Sequence, residues 1–379
     1  MSTFAEPFPE SSASPRWLHR LALLTVCMVL LALTSGAVVT TFRVGMADPI
    51  WPTYPWHLAL ISWREPSPGF IVEHTHRLFD YVLGLCCIVL AISMWRCHAR
   101  RPLGWLGIVA LAGVIVQGLL GGFRVLLNAL VGTDLALIHG LFAQLVFGVL
   151  VSLALLTSPS WNAAQIHGST PAADRIWRLS VLTVAIVFLQ LIFGAILRHT
   201  RSPIGQTGHL LVAFAVVAIV TWLAQVVFGQ HEGDKPLAVF VGVLAGLVAL
   251  QVLLGVEALR IRFAVPGLPD LQITSIPQAI VRTAHFVLGS LIFGTAVTVL
   301  LWSRRGLGVA VRFPVATTGR AQLLRYLERQ HSPERPARQQ VRSGDCHRME
   351  PEPGECFPSL RKRITYPCGW AHRVRRRTD

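Results

Sequence analysis

Charge is what this sequence has least of: Asp, Glu, Lys and Arg make up 14% of its 379 residues, against roughly a quarter in soluble domains. With 53% hydrophobic residues, that scarcity excludes an ordinary soluble domain and points to a bilayer. A cleavable leader is also missing, because the first apolar run is full length and follows a polar segment bearing Arg16 and Arg20. The first run is therefore expected to stay in the protein as a membrane helix. Cysteine is absent from Thr41 to Phe70, the first loop of the face assigned below as outer, so no disulfide is expected there. C-x-x-C spacing is absent among Cys346, Cys356 and Cys368, which argues against a zinc site despite His347 and His372 nearby. Cys27, Cys86 and Cys87 read as small buried hydrophobes, with Cys97 placed just after the second helix.

What is present is a series of eight apolar runs, each about the 20 residues needed to cross the hydrocarbon. They lie at Leu21–Val39, His74–Trp95, Gly104–Leu126, Leu135–Leu155, Ile176–Leu197, Gly208–Phe228, Leu237–Val256 and Val281–Trp302. The fold class expected is an all-α integral membrane protein of eight transmembrane helices. Net charge divides unevenly along the chain: residues 1–303 carry 17 basic against 12 acidic residues, and residues 304–379 carry 17 against 7. The basic excess thus belongs largely to a tail beside a membrane end. No recognition motif accompanies it, so nucleic acid is not an expected partner, whereas anionic lipid is. The tail reads as disordered and outside the rest of the plan, as a shifted reading frame would produce. With an even helix count, the Arg-rich tail together with Arg96, Arg100, Arg101, Arg175 and Arg178 places both termini in the cytoplasm. The opposite loops also hold arginines, among them Arg43, Arg124, Arg198, Arg201 and Arg282, and anionic ligand groups held there would explain them.

The two halves resemble each other. RLALLTVCMVLLALTSGAVVTT from Arg20 and RLSVLTVAIVFLQLIFGAILRHT from Arg178 align at a constant offset of 158, and Gln117–Gly121 and Gln251–Gly255 share Q-x-L-L-G. Single histidines recur near the starts of the fourth and eighth runs (His139, His285) and of the second and sixth (His76, His209). This reads as a duplicated four-helix unit with parallel copies. The expected organisation is a polar leader 1–16, an N-terminal half 17–157, a C-terminal half 174–303 and the tail 304–379.

All four histidines then lie at similar depth, two per half. One histidine near a helix end is usually a packing residue, but four at matching positions suggest ligands, and paired neutral imidazoles suit haem iron. Zinc would require both pairs to converge on one point. Glu73 is three residues before His76 and shares its helix face, whereas His74 points elsewhere. Arg77 and Asp80 read as an ion-pair ladder with Glu73. No acid precedes His209, whose neighbours are Ile204, Gly205, Gln206, Thr207 and Gly208. That asymmetry suggests one haem that is altered and one that relays electrons.

The E-x-x-H-R opening (Glu73, His76, Arg77), the histidines on even helices, the duplicated plan and the loop VGMADPIWPTYPW resemble the haem A synthase family over roughly residues 17–303. The resemblance implies oxidation of the haem o C8 methyl group to a formyl group by two successive hydroxylations. Carried over, His76 and His139 would ligate the iron of the substrate, haem o, and His209 and His285 that of haem b. Glu73 would be the essential carboxylate, with Arg43, Arg124, Arg198, Arg201 and Arg282 as possible propionate contacts. A ferredoxin-type or quinol electron donor, a haem O synthase as supplier and a bacterial-type cell membrane belong to the same expectation. Trp51, Tyr54, Trp56 and Trp63 would form an interfacial belt or a lid over the substrate. Two other classes share the haem sites: a di-haem electron-transfer cytochrome, and a haem carrier or export component.

Overall fold

In the computed structural model the described residues are 14–48, 67–98, 102–132, 134–163, 170–200, 202–229, 234–263 and 275–306, with the side chains of 128, 129 and 260–263 left aside. The chain forms α1 (Arg16–Phe42), α2 (Pro68–His98), α3 (Pro102–Leu126), α4 (Asn128–Val131), α5 (Asp134–Leu156), α6 (Pro159–Ala163), α7 (Pro171–Thr200), α8 (Pro203–Phe228), α9 (Lys235–Phe263) and α10 (Ile276–Gly306). Eight of these are long and apolar enough to cross a bilayer, and α4 and α6 are single-turn connectors. The protein is a multi-pass integral membrane protein. Residues 307–379, Arg201 and the aromatic residues Trp51, Tyr54, Trp56 and Trp63 lie outside the described residues, and with them the readings of the tail and the lid.

The spanning helices extend past the apolar runs because polar residues and proline, not hydropathy, set their ends. Proline opens α2, α3, α7 and α8, where its missing N–H costs nothing. Ahead of three of them a hydroxyl caps the first turn: Ser67 Oγ accepts from Phe70 N (3.2 Å), Thr170 Oγ1 from Ala173 N (3.1 Å) and Ser202 Oγ from Ile204 N (3.2 Å). Asp234 does the same for α9, accepting from Leu237 N at 3.3 Å. One consequence is that Cys97 lies inside α2 rather than after it. At its other end α1 stops at Arg43, whose φ of 58° turns the chain out of the helix. Many hydroxyls inside the spans are satisfied by the preceding turn, as with Thr25 on the Leu21 carbonyl (2.9 Å) and Thr183 on the Leu179 carbonyl (2.8 Å). The surfaces left over, including Leu85, Phe214 and Leu253, are apolar and outward, as lipid requires.

Packing divides between the halves. Leu18, Met94, Leu150 and Leu153 centre one buried cluster, and Leu223, Val241, Leu244 and Trp302 the other. Helices α5 and α10 join them reciprocally. A Cβ on Gly148 would stand 3.1 Å from the Phe293 ring, and one on Gly294 would stand 2.8 Å from the Phe147 ring. Phe147 and Phe293 are matched positions, each immediately before its glycine, so one knob-and-notch contact occurs twice with the partners exchanged. Such mutual exchange is the mark of a two-fold contact, and it is compatible with the internal resemblance of the halves.

Candidate functional site

Each of the four repeated histidines sits against a glycine of the long helix before it. An ideal Cβ on Gly36 would lie 3.0 Å from His76 Cε1, on Gly121 3.2 Å from His139 Cε1, on Gly194 3.1 Å from His209 Cε1 and on Gly255 3.3 Å from His285 Cε1. A methyl group at any of these positions would crowd the imidazole. The glycines lie toward the C-terminal ends of α1, α3, α7 and α9, and the histidines toward the N-terminal ends of α2, α5, α8 and α10. All four pairs therefore belong to the same kind of helix junction.

At three junctions a glutamine stands four residues before the glycine, one turn back on the same face. Gln117 Nε2 donates to the His139 carbonyl oxygen at 3.1 Å and lies 3.1 Å from its Nδ1. Gln251 Nε2 repeats this, at 3.0 Å from the His285 carbonyl oxygen and 3.3 Å from its Nε2. Gln190 Nε2 lies 3.4 Å from His209 Nε2, while His209 Nδ1 is 3.3 Å from the Gln190 carbonyl oxygen. At the first junction Ala32 occupies the glutamine position. His76 is held otherwise, with Nδ1 3.1 Å from Ser35 Oγ and Nε2 3.5 Å from Asp80 Oδ2.

A cavity opens beside that first junction. About 750 Å³ of non-atom space lies in it when its open side is included. His76, Asp80, Gln117, Arg124 and His139 line it. The wall is completed from the other half of the chain by Arg198, His199 and Phe286. Arg198 crosses to α1, donating to the Ala37 carbonyl (2.7 Å) and Thr41 Oγ1 (3.0 Å), and its guanidinium lies 5.2 Å from the centre of the Phe286 ring. Phe286 directly follows His285, so a side chain beside one histidine pair forms part of the wall around the other.

Glu73 is buried, 4% exposed, but it is not part of that lining. Its Oε2 accepts from the Asp48 backbone N–H at 2.8 Å, and its Oε1 accepts from Arg77 Nη2 at 2.8 Å. Arg77 also pairs with Asp48 Oδ2 at 3.1 Å and donates to the Asp48 carbonyl oxygen. His74 completes the knot, Nδ1 to Asp48 Oδ2 at 3.1 Å, stacked on Phe70. The ladder expected from Glu73 through Arg77 to Asp80 is thus only half present. Asp48, from the loop after α1, takes the place on Arg77, and Asp80 turns to His76 and the cavity. Loop closure over a helix start is a tertiary contact that spacing along α2 does not encode. Of the arginines expected near ligand groups, Arg124 and Arg198 line the cavity. Arg43 is exposed at the end of α1, and Arg282 is half-buried on α10, outside the lining. His199, Asp48 and Gln190 are site residues that the sequence reading did not single out, and it read Asp80 only as an ion-pair partner and Gln117 and Gln251 only as repeat matches. The only signals for them were the Q-x-x-x-G spacing, present also at Gln190–Gly194, and a histidine next to Arg198.

The second pair of histidines stands close together, with the ring centroids of His209 and His285 6.2 Å apart at 69°. His285 Nδ1 is buried without a hydrogen-bond partner, which a native site rarely leaves so unless something else binds there. Together with the glycine notches, this donor set fits a macrocycle held by two histidines.

The sequence model of the cytochrome oxidase assembly protein family, COX15-CtaA, matches residues 2–151 and 56–204, which together span more than half of the chain. The chain belongs to that family. Among its relatives, the "Heme A synthase" of Shouchella clausii is 29% identical over 197 residues, covering 51% of this chain and 63% of that protein. The one from Alkalihalophilus pseudofirmus is 28% identical over 193 residues, 50% of this chain and 62% of the relative. The match thus spans less than two thirds of the length of these two. A longer match, 27% identical over 316 residues, joins 74% of this chain to 92% of the "Heme A synthase" of Lysinibacillus sphaericus.

Proposed function

We propose that this member of the family is a haem A synthase, a membrane oxidoreductase that converts the C8 methyl group of haem o to a formyl group by successive hydroxylations. The observation that carries the reading is the cavity that His76 and His139 line together with Arg124 and Arg198. His76 and His139 would ligate the iron of the substrate, with Gln117 orienting His139 from behind. Arg124 and Arg198 would take the propionates, for which the guanidinium fork is suited. His209 and His285 would hold haem b, which when bound supplies a relay for electrons. Phe286, which follows His285 in the chain, lines the cavity, so the half assigned to haem b contributes to the substrate wall.

Glu73 is assigned as the essential carboxylate, moving protons for the conversion although it stands outside the cavity lining. Arg77 and the Asp48 amide fix its two oxygens, so its orientation is set before substrate arrives. A ferredoxin-type or quinol redox partner, and a haem O synthase that would supply the substrate, belong to this reading. Both termini are assigned to the cytoplasm of a bacterial-type cell and the histidines to the outer face, a reading that Arg96, Arg175, Arg178, Arg304 and Arg305 support by the positive-inside rule.

The test is expression of the full chain with a haem O synthase in a host lacking haem A, followed by chromatography of extracted haems. Haem A or its hydroxymethyl precursor is expected from the wild type, and Glu73→Ala should keep haem b while losing the conversion. One observation favours a second reading. A carboxylate already engaged by Arg77 and Asp48 is also what a purely structural ion pair looks like. If Glu73→Ala converts haem o normally, its assigned role falls. A wild type loaded with both haems and supplied with electrons, yet yielding only unaltered haem o, would make the protein a di-haem cytochrome.

A further inference from the structure

Two arginines line the cavity, and they differ in what already holds them. Arg198 donates to the Ala37 carbonyl and to Thr41 Oγ1. Arg124, half-buried near the end of α3, makes no hydrogen bond or ion pair among the described residues. What it does meet is bare backbone. An ideal Cβ on Gly45, in the turn after α1, would stand 2.8 Å from Arg124 Cζ and 3.0 Å from Nη1, and closer still to Nη2. That is well inside the separation at which carbon atoms rest. Backbone conformation does not call for a glycine here, because positive φ among the described residues is confined to Arg43 and Gly132. The approach of the guanidinium does. The turn itself is tied at both ends. Val44 N donates to the Val39 carbonyl and Ala47 N to the Val44 carbonyl, each at 3.1 Å. Asp48 is fastened to α2 by its N–H on Glu73 Oε2 (2.8 Å) and by its carboxylate on Arg77 Nη1 and His74 Nδ1 (both 3.1 Å).

We infer that the turn Val44–Asp48 is a backstop for Arg124: the bare backbone of Gly45 sets where the guanidinium stands, Asp48 locks the turn on α2, and together they present Arg124 to a carboxylate of the substrate. Arginine carries a long side chain with much rotamer freedom, and freedom already removed by a wall is not lost again on binding. Gly45 and Asp48 are thus positioning residues that act through Arg124. The knot of Glu73, Arg77 and His74 then reaches the cavity through this turn, although Glu73 is not in its lining. This rests on the assignment of haem o, with its two propionates, to the cavity above.

The experiment titrates haem o, and separately its propionate dimethyl ester, into the full-length protein purified in detergent with haem b bound, and follows binding by absorbance. Gly45→Ala should weaken haem o binding about tenfold, the scale of one charge-assisted hydrogen bond, and leave the uncharged ester unaffected. Arg124→Ala should weaken haem o to a similar degree, and adding Gly45→Ala to it should change nothing further, because the residue acted upon is gone. Any fall in Tm caused by Gly45→Ala should be relieved in the double variant, where the new methyl group has room. Asp48→Asn, which loosens the turn without adding atoms, should weaken haem o less than Gly45→Ala and again spare the ester. Unchanged haem o binding in Gly45→Ala would overturn the backstop. So would equal weakening of haem o and its ester, a full effect of Gly45→Ala on top of Arg124→Ala, or a fall in Tm that Arg124→Ala does not relieve. Wild type that binds ester and haem o equally well would remove the carboxylate from the account and the backstop with it. The expected pattern in a preparation that fails to convert haem o would sink the proposed reaction and leave the backstop standing.

Discussion

The two histidine pairs are built on one template and finished differently. Both rest on glycine notches, Gly36 and Gly121 in one half, Gly194 and Gly255 in the other. The C-terminal pair keeps a glutamine at each histidine and has a buried ring nitrogen of His285 without a hydrogen-bond partner. The N-terminal pair has lost one glutamine to Ala32, gained Asp80 on its ligand and Glu73 with its Asp48 and Arg77 knot close by, and opens onto the cavity. Two matched junctions in each half would offer two equivalent places for a macrocycle. Divergence at a few positions around one of them is what would separate a substrate from a cofactor.

The comparison breaks most sharply at the notches. Gly194→Val should displace His209 and abolish retention of haem b while haem o is still taken up, and Gly36→Val should do the reverse, as read by chromatography of haems from purified protein. Losses of more than tenfold are expected, because a branched side chain would occupy the space of the imidazole itself. A smaller effect is expected where the ligand is kept but its orientation is released. Gln251→Leu should weaken haem b binding about tenfold without changing haem o uptake, whereas Gln117→Leu should act on haem o alone. Equal losses of both haems in either variant would show that the sites are not separable.

Arg198 sharpens the comparison differently, since it belongs to one half and serves the cavity of the other. Arg198→Gln should weaken haem o binding and leave haem b bound, measured by titration of each haem into the purified protein. A few-fold change is expected, because Arg124 remains on the same cavity wall. The α5–α10 contact tests whether the halves depend on each other. Gly294→Ala brings a methyl group to 2.8 Å from a Phe147 ring that is 1% exposed and has little room to yield. A loss of ~1–3 kcal/mol is expected from overpacking, seen as a lower Tm with both haems still bound. Smallest is the cap of α8: Ser202→Ala should cost ~1 kcal/mol and affect neither haem.

The sequence shows the spans because hydrocarbon is an unforgiving solvent: a helix must stay apolar for the whole crossing, and eight such runs stand out. Their ends are legible only once caps are considered, which is why α2 begins at Pro68 and runs past Cys97. The four histidines show through because intramembrane imidazoles are rare and these recur in register. What touches them does not show. The Q-x-x-x-G spacing is visible in three helices, but that each glycine lies under a histidine of the next helix depends on interhelical packing. Glu73 illustrates the limit: its position on the His76 face follows from helix period, yet the loop residue Asp48 decides where its carboxylate is held.

The most direct measurement is the identity of the haem retained when one ligand of each pair is removed in turn. With haem o and haem b both supplied, His76→Ala should purify with haem b and without haem o, and His285→Ala should purify with haem o and without haem b. Loss of both haems in equal proportion from either variant, or retention of haem o by His76→Ala, would contradict the division of labour between the halves.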